Sequence, residues 1–335
     1  MLFFALLFMI PLIVRPETFC AVTNQQFNNR ADKSKLRIVQ YNVEWLFLDY
    51  YSASDCPGSG CAWSNESMAQ EHLQQVSTII RELQPDILNL CEVEGCDELK
   101  ALSMSGYNPF IIKGKDTSTG QNIGMLTRLK PSTMYRTEER VQYPIPGSTC
   151  GYSGTPGDSG VSKHYISEFL VGGLNIVMVA AHLVAFPTDS ARCAQREAQA
   201  QVLQNVVVGY ANKGYEIIIL GDFNDFDGSV LDANKNKPIS QVLEILKGNF
   251  GQHSGVYELT NVAEKIEQAK RATDWWDKNG DCLSKPTEFS MIDHVLVSAN
   301  LFSKVEGAFI YSEYKEFCGT LNSDHYPVVV DFMFR

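Results

Sequence analysis

The chain carries nine cysteines but no CxxC pair, no H-E-x-x-H, and no glycine-rich loop of the kind that cradles nucleotide phosphates. The first absence argues against a zinc site, the second against a zincin-type protease, and the third against a nucleotide-driven enzyme. No Ser or Cys stands in a recognisable nucleophile motif. Basic residues are outnumbered, 28 Lys and Arg against 39 Asp and Glu, for a formal charge of −11. That excludes a protein that coats nucleic acid through a broad basic face, though not an enzyme that meets a polyanion locally through metal ions. There is no internal repeat, no low-complexity tract and no linker that would split the 335 residues.

Long apolar runs are also scarce. "MLFFALLFMIPLIV" is too short to span a bilayer comfortably, and nothing later in the chain is longer. It is followed by "RPETFC", where Thr18 and Cys20 suit the −3 and −1 positions of a cleavage site. The reading is a secretory signal over residues 1–20, a single domain over 21–335 and an extracellular location. Eight cysteines then remain, an even count that fits disulfides in an exported chain. The expected pairs are Cys56–Cys61, Cys91–Cys96, Cys150–Cys193 and Cys282–Cys318. A sequon, Asn65-Glu66-Ser67, suits a surface loop.

What is present is a series of short apolar strands. They read as 37–43, 86–93, 122–128, 164–171, 174–183, 215–223, 290–298 and 325–332. "VGG" at 171–173 marks a hairpin turn, and helical spacing covers 68–83 and 196–214. Several strands adjoin without a helix between them. This favours an α/β fold of mixed or packed sheets over a strictly alternating barrel.

These strands end in unusual company. "QYNVE" brings Asn42 and Glu44, "NLCEVE" Glu92, "VAAHL" His182, and "YEIIILGDFND" Asp222 and Asn224. "SMIDH" supplies Asp293, while Asp324 and His325 open the last strand. One such ending is a turn former, a helix cap or a satisfied core histidine. Six point to one rim where strand ends converge on an oxygen-rich site. Carboxylates, carboxamides and two histidines suit Mg²⁺, with Mn²⁺ or Ca²⁺ as alternatives, and metal-assisted attack by water on a phosphoester.

The ordered set "YNVE", "DILNLCEVE", "GMLTR", "VAAHL", "GDFND", "MIDHVLVS" and "SDHYPV" resembles the endonuclease/exonuclease/phosphatase superfamily, to which deoxyribonuclease I belongs. The likeness runs from about residue 37 to 332, nearly the whole domain. It implies a four-layer α/β/β/α sandwich of two mixed sheets with the active site at one edge. It also implies Glu92 as principal metal ligand, with Asn42 beside it and Glu44 and Asp324 as further metal-side residues. By the same resemblance Asp222 orients or deprotonates the attacking water, and Asn224 stabilises phosphate oxygens. His325, held by Asp293, neutralises charge in the transition state. His182 takes a second-histidine position, and Arg128 is a candidate phosphate contact.

The chain departs from that pattern in two places. No acidic partner for His182 is evident, and residues 271–290 form an unusual insertion. Within it Asp277, Asn279, Asp281 and Glu288 fall at positions 1, 3, 5 and 12 of an EF-hand-like loop, with Cys282 where Gly is needed. Trp275 and Trp276 are expected to pack inside or to stack on a base or lipid. The leading expectation is a secreted, monomeric endonuclease acting on DNA, RNA being less favoured, without stable membrane association. A sphingomyelinase-like phosphodiesterase and a catalytically inactive binding module are the alternatives.

Overall fold

Val39, Tyr41 and Val43 alternate along the first strand with Ile38, Gln40 and Asn42, and this alternation sets the layering. The computed structural model describes residues 20, 26–52, 54, 56, 61–314 and 319–334. One six-stranded sheet runs in the order β15 (Val305–Ile310), β16 (Val328–Met333), β1 (Lys35–Leu46), β2 (Ile87–Val93), β4 (Asn122–Thr127), β3 (Asn108–Ile111). The other runs β11 (Leu259–Asn261), β14 (Asp293–Ser298), β10 (Glu216–Asp222), β9 (Leu174–His182), β8 (Lys163–Val171), β5 (Thr133–Tyr135). Two small ribbons pair β6 (Val141–Tyr143) with β7 (Gly157–Ser159) and β12 (Asp274–Trp275) with β13 (Phe289–Ser290).

Each sheet is mixed, because β1 and β2 run parallel in one and β9 and β10 in the other. Ile38, Ile87 and Val330 meet Met178, Ala180, Ile218 and Leu220 in the layer between the sheets. Val39, Tyr41 and Val43 pack outward on α1 (Glu66–Leu83) and α2 (Cys96–Leu102). Val177, Val179, Ile217 and Ile219 pack on α3 (Ser190–Ala211) and α4 (Val242–Lys247). A short α5 (Ala299–Phe302) follows β14. The order is helix, sheet, sheet, helix, as the resemblance implies.

The "VGG" turn is a two-residue hairpin loop, since Val171 pairs with Leu174 and Gly172 and Gly173 take φ of 56° and 79°. The second long helix begins at Ser190 rather than Arg196, capped by Asp189, whose side chain accepts from Arg192 N. Strands β3, β5, β11 and β15 were not expected. They are edge strands of three to six residues, too short for period-two patterning to stand out.

The cysteine pairing needs correction. Cys56–Cys61 and Cys150–Cys193 are joined, but Cys96 is bonded to Cys20, and Cys91 is free and fully buried in the inter-sheet layer. Cys91 lies on the face of β2 opposite the helices, so it cannot reach Cys96. Because Cys20 is half of a bridge, the folded domain includes it, and a cut directly behind residue 20 would break that link. Cys282 is disulfide-bonded, while Cys318 lies outside the described residues. The first nineteen residues lie outside them too. Asn65 of the sequon caps α1, its Oδ1 accepting from Met68 N at 3.1 Å.

Asp225, the last residue of "GDFND", belongs to the framework. Its Oδ2 accepts from Arg196 Nε at 3.0 Å and from Ser240 Oγ at 2.7 Å. Arg196, wholly buried, also donates to the carbonyls of Val184, Ala185, Phe186 and Pro187. One guanidinium thus ties the loop after β9 to the loop after β10. Arg196→Met should lower the urea-unfolding free energy by about 3–5 kcal/mol, because it strands a buried carboxylate. A loss below about 1 kcal/mol would mean the pair contributes little beyond packing.

Candidate active site

The topology decides which residues meet. Parallel pairing sends the C-terminal ends of β1 and β2 to one edge, with Asn42 opposite Cys91. The same holds for β9 and β10, where His182 stands opposite Asp222. Antiparallel β14 starts at that edge, with Asp293 opposite Asp222, and β16 begins beside Gln40, just after His325. Facing sheets then bring both sets of ends together.

Glu92 reaches the site through a bulge. Strict alternation with Leu88 and Leu90 would aim it at the helices. The register slips between Cys91 and Val93 on both sides of β2, and Glu92 takes φ of 65°. The slip re-aims its carboxylate inward. Glu44, Trp45 and Asn224 also hold positive φ, of 46°, 48° and 50°. Non-glycine residues in this region cost energy and gather where geometry is imposed by surroundings.

At the centre, Asn42 Nδ2 donates to Asp222 Oδ2 at 3.0 Å and to Glu92 Oε1 at 3.3 Å, and lies 3.4 Å from His325 Nε2. Glu92 Oε2 accepts from Trp45 N at 3.1 Å. His182 Nε2 stands 3.4 Å from Asp222 Oδ2 and 3.9 Å from Glu92 Oε1. The carboxylates nearest His182 are therefore Asp222 and Glu92, both on its Nε2 side. His182 Nδ1 is buried without a hydrogen-bond partner among the described residues. Burial, then the charges of Lys163 and His325, hold the His182 pKa well below the usual histidine value.

His325 behaves oppositely. Burial pushes its pKa down, but Asp293, then Asp324 and Asp222, outweigh burial and hold it well above the usual value. Its Nδ1 donates to Asp293 Oδ2 at 2.7 Å, leaving Nε2 facing the site. Asp274 Oδ1 at 3.7 Å, Asp324 Oδ1 at 3.9 Å and Asp222 Oδ2 at 4.0 Å surround that nitrogen. Asp222 is buried, which with the Asp293 charge pushes its pKa up to about 8.

Glu44, Glu92, Asp274 and Asp324 form a second acidic group. Burial raises the Glu44 pKa well above the usual range, with the charges of Asp324 and Glu92 adding. Burial likewise pushes Asp324 up to about 7, helped by Asp274 and Glu92. Among the described residues their ion-pair partners are histidines, never Lys or Arg. Oxygen donors crowded in this way, short of positive charge, fit a hard divalent cation.

Two expectations change. Asn224, expected to stabilise phosphate oxygens, lies past the point where the strand stops at Asp222 and the chain turns. Instead Asn224 N donates to Asp222 Oδ1 at 2.9 Å, and its side-chain amide donates to Leu183 O at 3.2 Å. Arg128 is not at the site. Thr127 pairs with Ile87, the far end of β2 from Glu92, and Arg128 stacks on Tyr107 with its guanidinium 4.5 Å from the ring centroid. Its Nη2 also donates to Gln84 Oε1. Arg128→Ala should therefore leave kcat and KM unchanged in a phosphodiesterase assay. A tenfold rise in KM would return it to the site.

Residues not singled out in the sequence complete the arrangement. Gln40 Nε2 donates to Asp293 Oδ1 at 3.0 Å, and Thr273 Oγ1 accepts from Asp293 N at 3.1 Å. Asp274 comes from the β12–β13 ribbon. Gln40 had a signal, since alternation puts it on the apolar face of Ile38. Asp274 had none, lying in an insertion. In that insertion Trp275 is buried, Trp276 is exposed, and Asp277 accepts from the backbone N–H groups of Gly280, Asp281 and Cys282. Cys282 takes φ of 55°, the conformation a glycine would supply, and Lys285 Nζ sits on Asp281 where a cation ligand would be needed.

The family model for the Endonuclease/Exonuclease/phosphatase family matches residues 39–325. The chain belongs to this family. Its solved relatives include a 3′ phosphatase, NExo, from Neisseria bound to a product DNA hairpin, with 18% identity and a TM-score of 0.59 over 89% of this chain and 99% of that one. An AP endonuclease from Archaeoglobus fulgidus matches at 14% identity and a TM-score of 0.57, over 89% and 99%. Truncated TDP2 from Caenorhabditis elegans matches at 18% and 0.54, over 89% and 97%. At these identities the likeness shows the fold. No curated protein matches the chain. Family members are hydrolases of phosphoester bonds that use divalent metals, and this chain carries a buried acidic site of the matching kind.

Proposed function

We propose that the protein is a secreted, divalent-metal-dependent phosphodiesterase that acts as an endonuclease on DNA by direct water attack. The observation that carries this reading is the meeting of Asn42, Glu92, His182, Asp222, Asp293 and His325 within a few ångströms, from six different strands or strand ends. Glu92, Asn42, Glu44 and Asp324 would hold Mg²⁺, Mn²⁺ or Ca²⁺, which when bound supplies charge neutralisation at a phosphate oxygen. Asp222, wedged between two imidazoles and Asn42, orients the attacking water and takes its proton. His325, charged and aimed by Asp293, stabilises negative charge building on the phosphoryl oxygens. His182 donates a hydrogen bond to the same oxygens. Asn224 holds Asp222 in place from its backbone N–H.

Nucleic acid as substrate is supported by relatives whose names include an AP endonuclease and a 3′ phosphatase bound to DNA. Export is supported by the disulfides, which persist in oxidising compartments. No helix of the described residues is long and apolar enough to cross a membrane. The test presents supercoiled plasmid and sphingomyelin vesicles in parallel, with Mg²⁺. Nicked and linear plasmid is expected. Release of choline phosphate without nicking would overturn the nuclease reading in favour of a lipid phosphodiesterase.

A further inference from the structure

Behind Asp293 a line of buried polar side chains crosses the layer between the sheets. Tyr165 O–H donates to Asn89 Oδ1 at 2.8 Å, and Asn89 Nδ2 donates to Gln40 Oε1. Gln40 Nε2 donates to Asp293 Oδ1 at 3.0 Å, and Asp293 Oδ2 receives His325 Nδ1–H at 2.7 Å. Tyr165, Asn89 and Gln40 are wholly buried among Ile38, Ile87, Cys91 and Met178. Placing two carboxamides and a phenol there is costly unless each finds partners.

The sense of the line is fixed by chemistry. An ionised carboxylate only accepts, so Gln40 must present its NH₂ to Asp293 and its oxygen to Asn89. Asn89 must then present its NH₂ to Gln40 and its oxygen to Tyr165, whose hydroxyl must donate. Along the line each bond donates toward Asp293, the two amide nitrogens also approaching Cys91 Sγ at 3.5 and 4.0 Å, and bonds ordered in one sense reinforce one another. The carboxylate is therefore held from one side by the line and from the other by the histidine. Its torsion cannot drift without breaking both.

We infer that Gln40, backed by Asn89 and Tyr165, is a positioning residue for the reaction, fixing the Asp293 carboxylate so that it aims His325 Nε2 at the substrate phosphate. This inference rests on the phosphodiesterase reading above. Gln40 is wholly buried, and its side chain bonds Asp293 and Asn89. It acts by preventing rotation of Asp293, and with it of the imidazole.

The test uses the full-length protein and the variants Gln40→Met and Tyr165→Phe, the second removing one hydroxyl from the far end of the line. The first readout is the low-field proton resonance of His325 Nδ1–H in the absence of substrate, assigned by its loss in His325→Ala. The second is kcat and KM on plasmid. Gln40→Met should shift or broaden that resonance and lower kcat by about 10- to 100-fold with KM unchanged. Tyr165→Phe should do the same to a smaller degree. A folded Gln40→Met with the native resonance and native kcat overturns the inference, and so does a shifted resonance with native kcat. If Gln40→Met does not fold, Tyr165→Phe decides by the same two readouts. If wild-type protein cleaves no phosphodiester, the phosphodiesterase reading fails and the positioning role falls with it. The resonance then still reports whether the line holds the imidazole.

Discussion

His325→Ala should lower kcat on plasmid DNA by about 10²–10⁴-fold. The size of the effect follows from what the imidazole does in this setting. Its Nδ1 is held by Asp293 from behind, nearby carboxylates hold its pKa above the usual histidine value, and its Nε2 projects among three carboxylates. A donor fixed in a dry pocket needs no reorganisation as the phosphoryl oxygens gain charge. Alanine removes the donor and leaves Asp293 with its Oδ2 unpaired, so some stability is lost as well. His325→Asn separates the two effects. Its amide satisfies Asp293 in part but does not reach the phosphate, so it should regain stability and stay slow. A variant that is folded and cleaves at the native rate would remove His325 from the mechanism.

Glu92→Gln should lower kcat by several kcal/mol of transition-state stabilisation, on the order of 10³-fold, while leaving the metal-free protein as stable as before or more so. The second half of that expectation is the more diagnostic. Glu44, Glu92 and Asp324 repel one another in a buried setting, without a Lys or Arg partner among the described residues. Removing one negative charge relieves the repulsion, as expected where stability has been given up for function. Wild-type protein should gain thermal stability as Mg²⁺ is added, because an ion bound only to the folded state shifts the unfolding equilibrium. Glu92→Gln should gain little. A variant that loses stability without metal and still gains it with Mg²⁺ would place the ion elsewhere.

Much of this site was legible because its apolar strands carry polar residues at one end. Apolar strands that reach Asn42, His182 and Asp222 toward their C-terminal ends state their own polarity, the parallel pairs β1–β2 and β9–β10 place those ends on one edge, and antiparallel β14 starts there at Asp293. Glu92 was found by its motif, yet period-two reasoning alone points it at the helices. The bulge that turns it inward leaves no mark in residue type. Arg128 shows the converse error. A charged residue just after a strand reads the same at either end, and only the antiparallel register of β4 against β2 reveals the wrong end. Cys91 and Cys96 look like a local pair by spacing, but a strand and the helix after it present them to different layers. Gln40, Asn89 and Tyr165 were visible only as polar residues among apolar ones until the sheets were set face to face.

The account depends on one divalent ion gathered by Glu92 and its neighbours for hydrolysis of a phosphodiester. The direct measurement is the initial rate of plasmid nicking by wild-type protein at saturating Mg²⁺, after chelation, and after Mg²⁺ is restored. The rate should vanish on chelation and return in full, and Glu92→Gln should remain slow in all three states. Nicking that continues undiminished in chelator, or a Glu92→Gln variant as fast as wild type, would contradict it.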